Sequence, residues 1–136
     1  MYVRNLLEYG AASATFMAGI LHLTLVANAI DRNFNTGILF LVGGLAQIFW
    51  VVPVIKKWGK KWYYVGISGT LIFIILWVIT RMPGNPITER GGSINGTGIA
   101  VEIFQLAFII LSMIILVKDR FRSTTQAEKK LDNIKK

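Results

Sequence analysis

The sequence predicts an all-α protein that crosses a lipid bilayer four times as one four-helix bundle, with both termini in the cytoplasm. Three observations predict this fold: four long apolar stretches, basic residues concentrated in alternate connections, and small or polar residues repeating at helical spacing. The mean hydropathy of the 136 residues is +0.55. This average is less informative than the distribution of charge, because the basic residues flank the apolar stretches rather than interrupt them.

Each apolar stretch is long enough to cross a hydrocarbon core of about 30 Å at a rise of about 1.5 Å per residue. The third needs help from its flanks, where Trp62, Tyr63 and Tyr64 favour the headgroup region. Lipid offers the backbone no hydrogen-bond partners, so the spans must be helical. We predict spans at residues 11–30, 37–55, 63–79 and 98–117, forming one domain over 1–117, and a basic cytoplasmic tail at 118–136.

The basic residues predict the orientation. One lies in the N-terminal segment, four in the second connection and seven in the tail, against three in the first and third connections. This asymmetry predicts a multi-pass protein of the plasma membrane with cytoplasmic termini and an extracytoplasmic Gly- and Pro-rich loop at 81–97. The same topology explains the net charge of +8, so we expect no nucleic-acid partner.

Several kinds of chemistry are excluded or disfavoured by residue type. The chain has no cysteine and a single histidine, His22, so it forms no disulfide, thiolate site or bis-histidine haem site by itself. We predict no catalytic residues, no cofactor and no metal site, because the sequence has no nucleophile–base pair, no cofactor-binding loop and no metal-ligand cluster.

Every span carries a stripe of small or polar residues at helical spacing, and such stripes belong inside a membrane bundle. The predicted inward faces are Ala11, Thr15, Ala18, His22, Leu25 and Ala29; Gly37, Phe40, Gly44, Gln47 and Val51; Gly66, Thr70, Phe73, Trp77 and Thr80; Gly98, Glu102, Gln105, Ile109, Ser112 and Leu116.

Six residues on these faces form a candidate polar pocket: His22, Gln47, Trp77, Arg81, Glu102 and Gln105. Counting along the spans places His22 and Gln47 near the bilayer centre, and Glu102 and Trp77 about 8 to 9 Å nearer the outer face. One interpretation is structural, with an Arg81–Glu102 ion pair at the outer end and hydrogen bonds between helices below it. The other is an outward-facing pocket for a cation, a metal or a small polar molecule.

Part of the sequence resembles small uncharacterised four-helix membrane proteins of bacteria and archaea. The resemblance covers residues 22–102 and rests on His22, on Gln47 with Trp50, on the run 77–86 (WVITRMPGNP) and on 98–102 (GIAVE). Proteins of this kind often carry a Glu-His pair late in the first span or just after it, whereas residues 28–32 here read NAIDR. The resemblance implies the four-span topology and no assigned activity.

Two functions fit these observations. The first is a non-catalytic accessory subunit of a larger membrane-embedded enzyme, of the respiratory or copper-dependent monooxygenase type, with lipid and other membrane subunits as partners. The second is a stand-alone transporter or cation-binding protein that uses the polar pocket. Small multidrug exporters are of similar size, but their essential carboxylate lies in the first span, whereas Glu102 lies in the fourth.

Overall fold

The computed structural model describes residues 2–88 and 91–134, and these residues form four helices. In chain order the helices are α1 (Tyr2–Arg32), α2 (Phe34–Ile55), α3 (Lys60–Arg81) and α4 (Gly96–Ile134). Each helix is long and apolar enough to cross a membrane. The predicted all-α fold with four spans is therefore confirmed.

The helices extend past the predicted spans. Helix α1 already begins at Tyr2, and α4 continues through the predicted tail to Ile134. Residues 118–134 contain neither glycine nor proline, so nothing in the sequence stops α4 where its apolar residues end at Val117. The predicted boundary between bundle and tail therefore marks a change in polarity within one helix and not the end of a helix.

The four helices pack as a ring in which α1 contacts α2 and α4, and α3 contacts the same two neighbours. Across the diagonal, the described Cα atoms of α1 and α3 stay more than 8 Å apart. Arg4, the turn at residues 56–59 and Lys118 lie at one end of the bundle, which we call the basic end. The turn at Asn33 and residues 82–88 and 91–95 lie at the other, which we call the loop end.

The tightest helix contact is between α1 and α2. The Asn33 side chain accepts a hydrogen bond of 3.0 Å from the Thr36 backbone N–H and so caps α2 directly after α1 ends. Further along, a Cβ atom on Gly19 would lie 2.9 Å from the carbonyl oxygen of Gly44. Only glycine allows this approach of two backbones, as is usual where membrane helices pack closely.

Helix α3 is joined to α2 mainly through aromatic side chains at the basic end. The indole Nε1 of Trp50 donates a hydrogen bond of 3.2 Å to the Trp62 carbonyl. A Cβ atom on Gly66 would lie only 2.1 Å from that same nitrogen. Trp58 stacks edge-on against Trp62 with ring centroids 4.9 Å apart. The missing side chain of Gly66 is therefore what leaves room for the Trp50 indole.

The predicted inward faces are confirmed, because each of their residues is buried or half-buried. The opposite faces expose large apolar side chains along all four helices, as expected of a surface in contact with lipid.

Candidate polar site in the bundle interior

His22 occupies the centre of the interior and reaches the other three helices. It is 5% exposed, and its ring lies 5.5 Å from Phe40 of α2 and 6.3 Å from Phe73 of α3, measured between centroids. On its remaining side, the Gln105 amide of α4 lies 3.1 Å from His22 Nε2. One imidazole thus fills the space across which α1 and α3 make no backbone contact.

A small cavity lies beside His22 toward the loop end. Its volume is about 20 Å³, which is room for a single water molecule. Its polar lining is formed by His22, the hydroxyl-bearing Thr36 and Thr80, and the indole of Trp77. The remaining lining residues are Leu39, Phe40, Phe73 and Leu76. A cavity of this size and composition suits water or another species of that size.

Gln47 does not join His22. The α1–α2 turn fixes a register in which His22 faces Phe40, whereas the backbone carbonyl of Gln47 accepts a hydrogen bond of 3.0 Å from the Thr15 hydroxyl. Thr15 lies seven residues before His22, which is about 10 Å along a helix. The two residues therefore lie at different levels of the bundle, because a one-residue turn at Asn33 joins α1 to α2 where a connection of residues 31–36 was expected.

The Arg81–Glu102 ion pair expected by the structural interpretation does not form. The Arg81 guanidinium instead lies over the Trp77 ring, 5.0 Å from its centroid. Two glycines make room for this arrangement. Cβ atoms on Gly92 and Gly98 would lie 2.2 Å from Arg81 Nη1 and 3.3 Å from Trp77 Nε1, respectively.

Several interior polar atoms have no hydrogen-bond partner among the described residues. They are His22 Nδ1, Gln47 Oε1, Trp77 Nε1, Arg81 Nε, Glu102 Oε1, Gln105 Oε1 and Ser112 Oγ. As placed, the Gln105 amide N–H donates to His22 Nε2, so the imidazole proton sits on Nδ1. Buried polar groups are normally satisfied, so these atoms are where water or a polar ligand would bind.

A second polar cluster, at the basic end, was missed by the sequence reasoning. The Glu8 carboxylate is buried and pairs with Arg4 Nε at 2.8 Å and with Lys57 Nζ at 2.7 Å. Arg4 Nη1 in turn pairs with Asp119 at 2.9 Å. The cluster joins α1, the α2–α3 turn and α4. The sequence could have indicated the burial of Glu8, because this residue lies three positions before Ala11 and extends the inward face of α1 by one turn.

The loop end is organised by two asparagines. Asn85 is buried within the connection, and its side-chain oxygen accepts hydrogen bonds from the backbone N–H groups of Ile87 and Thr88. Asn95 accepts a hydrogen bond of 2.7 Å from the Gly98 N–H and caps α4. These turns hold the start of α4 against Arg81 and Trp77.

The six predicted pocket residues therefore divide into three groups. His22 and Gln105 are hydrogen-bonded at the centre, Trp77 and Arg81 stack at the loop end near Glu102, and Gln47 lies apart toward the basic end. Over residues 2–88 and 91–134, no three His, Asp or Glu side chains come together as metal ligands. The interior provides hydrogen-bond donors and acceptors and room for one species of the size of water.

Comparison with protein-family models, with curated proteins and with solved structures finds no match to this chain.

Proposed function

We propose that this chain is a non-catalytic, membrane-embedded accessory subunit that packs against the transmembrane helices of a larger enzyme. The observation that carries the proposal is a notch of two small residues, Ser68 and Gly69, on the outward side of α3. Both residues lie within about 4 Å of the helix midpoint, at the depth where lipid contacts are entirely apolar.

The notch has the properties of a helix-packing site. A Cβ atom on Gly69 would meet no other atom within 4 Å, so the space outside this residue is open. Ser68 is exposed, and its hydroxyl makes no hydrogen bond within the described chain. Val65 and Ile72 project on either side of the notch, with exposed fractions of 55% and 56%. Small residues between larger ones let a second helix approach closely, and the hydroxyl can bond across the contact.

Helix α3 is also the least buried of the four, since 22% of its span is buried inside the bundle against 28% to 39% for the other spans. It makes no backbone contact with α1, and the outward side chains of Leu71, Ile75 and Val78 are exposed along its length. At the basic end, Phe49 and Trp58 are each about half exposed and contact one another, with ring centroids 6.4 Å apart. Aromatic side chains of this kind are enriched at contacts between proteins.

The proposed class of partner remains the one that the sequence suggested: a respiratory complex or a copper-dependent membrane monooxygenase. In this proposal the partner holds the redox centre, and this chain lies in the plasma membrane beside it. The charge asymmetry described above supports cytoplasmic termini and an extracytoplasmic loop at 82–95.

A photo-crosslinking experiment in the native membrane tests the proposal. The residue p-benzoylphenylalanine is introduced at Ser68 and, as a matched control, at Leu45, which is exposed near the middle of α2. We expect a discrete protein adduct from position 68, identifiable by mass spectrometry as a subunit of a membrane enzyme, and only lipid adducts from position 45. Lipid adducts alone at both positions, with migration of the chain as a monomer on native gels, would overturn the proposal.

A second candidate function is favoured by the unsatisfied atoms around the cavity beside His22. A stand-alone protein that binds a cation would use the Thr36 and Thr80 hydroxyl oxygens and Glu102 nearer the loop end, whereas a small polar molecule with an acceptor atom would bind the Nδ1–H of His22. Elemental analysis of the purified protein and of a Glu102→Gln variant tests this candidate. A stoichiometric metal that is lost from the variant would favour it over the subunit proposal.

A further inference from the structure

A second cavity, larger than the one beside His22, lies at the basic end. Its volume is about 190 Å³, and it opens between the first turns of α1 and the part of α4 where the apolar residues end. Its lining is Arg4, Leu7, Ile115, Lys118 and Asp119. The site is therefore amphiphilic, with apolar walls from Leu7 and Ile115 and a charged rim from the other three residues.

The rim combines a guanidinium group that ion pairs hold in place with an unpaired ammonium group. Arg4 is held by Glu8 through Nε and by Asp119 through Nη1, which leaves its Nη2 group without a hydrogen bond. The only acid in the lining, Asp119, is already paired with Arg4. Lys118 is exposed and has no ion pair or hydrogen bond with any described residue. The rim thus has one unused ammonium group and one partly unused guanidinium group.

The position of this rim matches a lipid headgroup. Lys118 directly follows Val117, the last residue of the apolar stretch of α4, so the rim lies at the level where hydrocarbon gives way to the polar interface. Lys56, Lys60, Lys61 and Arg120 are exposed at the same end and make the surroundings positive. Basic pockets between transmembrane helices at such a level suit the phosphate of an anionic lipid.

We propose that this cavity binds one anionic phospholipid, with the phosphate between Arg4 and Lys118 and the start of an acyl chain against Leu7 and Ile115. The lipid would close the cleft between α1 and α4 and contribute to holding the α1 terminus against α4. The site is independent of the Ser68–Gly69 notch, which faces outward from α3.

The test measures lipid retention by native mass spectrometry of the full-length protein released from detergent micelles. The protein is incubated with phosphatidylglycerol, with phosphatidylcholine or with inorganic phosphate. The key variant is Lys118→Gln, and the matched control is Lys61→Gln, which removes the same charge at the same end but outside the cavity. Leu7→Phe tests the apolar wall by filling the cavity.

We expect one phosphatidylglycerol molecule to be retained, with apparent affinity falling about fivefold in Lys118→Gln and little in Lys61→Gln. Leu7→Phe should lower retention while the charges stay in place. Equal losses in the two lysine variants would overturn the proposal, because they would indicate diffuse surface charge. So would equal retention of phosphatidylcholine, or displacement of the lipid by millimolar inorganic phosphate.

Discussion

The amide nitrogen of Gln105 lies 3.1 Å from Nε2 of His22, and this contact joins α4 to α1 at the centre of the bundle. Both side chains are buried, and the His22 ring also lies between Phe40 and Phe73. The one histidine of the chain therefore acts as a spacer among four helices. Its Nε2 atom is matched by an amide, and Phe40 and Phe73 lie against the ring.

This pairing predicts a non-additive pair of substitutions. Gln105→Leu leaves the His22 nitrogen buried without a partner and should lower the free energy of unfolding by about 1 to 3 kcal/mol. His22→Leu should lower the free energy of unfolding by a similar amount, because Gln105 then loses its partner. The double variant should be less destabilised than the sum of the two single variants. Thermal unfolding in detergent, followed by circular dichroism, measures all three, and strict additivity would contradict the pairing.

Gly66 and Gly69 predict opposite outcomes for the same substitution. Gly66→Ala places a methyl group against the Trp50 indole, so it should break the Trp50–Trp62 hydrogen bond and destabilise the bundle by about 1 to 3 kcal/mol. Gly69→Ala meets open space and should leave the isolated protein equally or more stable, by up to about 1 kcal/mol. Unfolding temperatures and tryptophan fluorescence check both variants, and equal destabilisation would contradict the proposed difference in packing.

The Glu8 cluster predicts that neutralising Glu8 lowers the stability of the protein far more than neutralising Glu128. Glu8→Gln leaves Arg4 and Lys57 without their shared partner, while Glu128→Gln changes an exposed side chain on the solvent-facing part of α4. Because Arg4 and Lys57 are 38% and 46% exposed, the expected loss is about 1 to 3 kcal/mol rather than that of a fully buried pair. Glu128→Gln should change stability by less than about 0.5 kcal/mol.

High salt provides a second readout of the same cluster. Screening should lower the unfolding temperature of the wild-type protein more than that of Glu8→Gln, since the variant has already lost the interactions that salt weakens. If Glu8→Gln leaves the unfolding temperature unchanged, and salt leaves that of the wild-type protein unchanged, the cluster contributes nothing to stability.

Lys57 adds a local constraint to this cluster. Its φ of 54° is in the left-handed region, which is unfavourable for a residue with a side chain. The Lys57 ammonium is nevertheless held by Glu8 at 2.7 Å and by Asn5 at 2.8 Å. These contacts offset the backbone cost and fix the α2–α3 turn against the start of α1.

The inward faces could be predicted because burial in a membrane bundle follows helical periodicity, and the spacing of small and polar residues shows that periodicity in the sequence. Thr15, Gly44, Thr70 and Ser112 all lie inside as their spacing indicated. Relative depth could not be predicted as well, because it depends on where each helix begins and on how tightly the turns connect. Gln47 shows this dependence, since the short turn at Asn33 sets it beside Thr15 and away from His22.

Side-chain partners were the least predictable level of the site. Opposite charge at similar depth suggested an Arg81–Glu102 pair, but the direction of the Arg81 side chain depends on the Trp77 ring and on the space left by Gly92 and Gly98. Those constraints arise because Gly92 lies back against α3, where its N–H donates a hydrogen bond of 3.0 Å to the Thr80 carbonyl. Local sequence patterns carry no information about that contact.

The proposed orientation predicts which positions a membrane-impermeant reagent will reach. The chain has no cysteine, so a single introduced cysteine is the only thiol that can be labelled. Two variants are compared, Ser93→Cys and Ser123→Cys. Ser93 lies in the connection between α3 and α4, Ser123 lies in α4 beyond Lys118, and both side chains are exposed. With cytoplasmic termini in the plasma membrane, a charged maleimide should label position 93 on intact cells and position 123 only after permeabilisation. Labelling of position 123 on intact cells would reverse the orientation, and labelling of neither position before permeabilisation would contradict the plasma-membrane location.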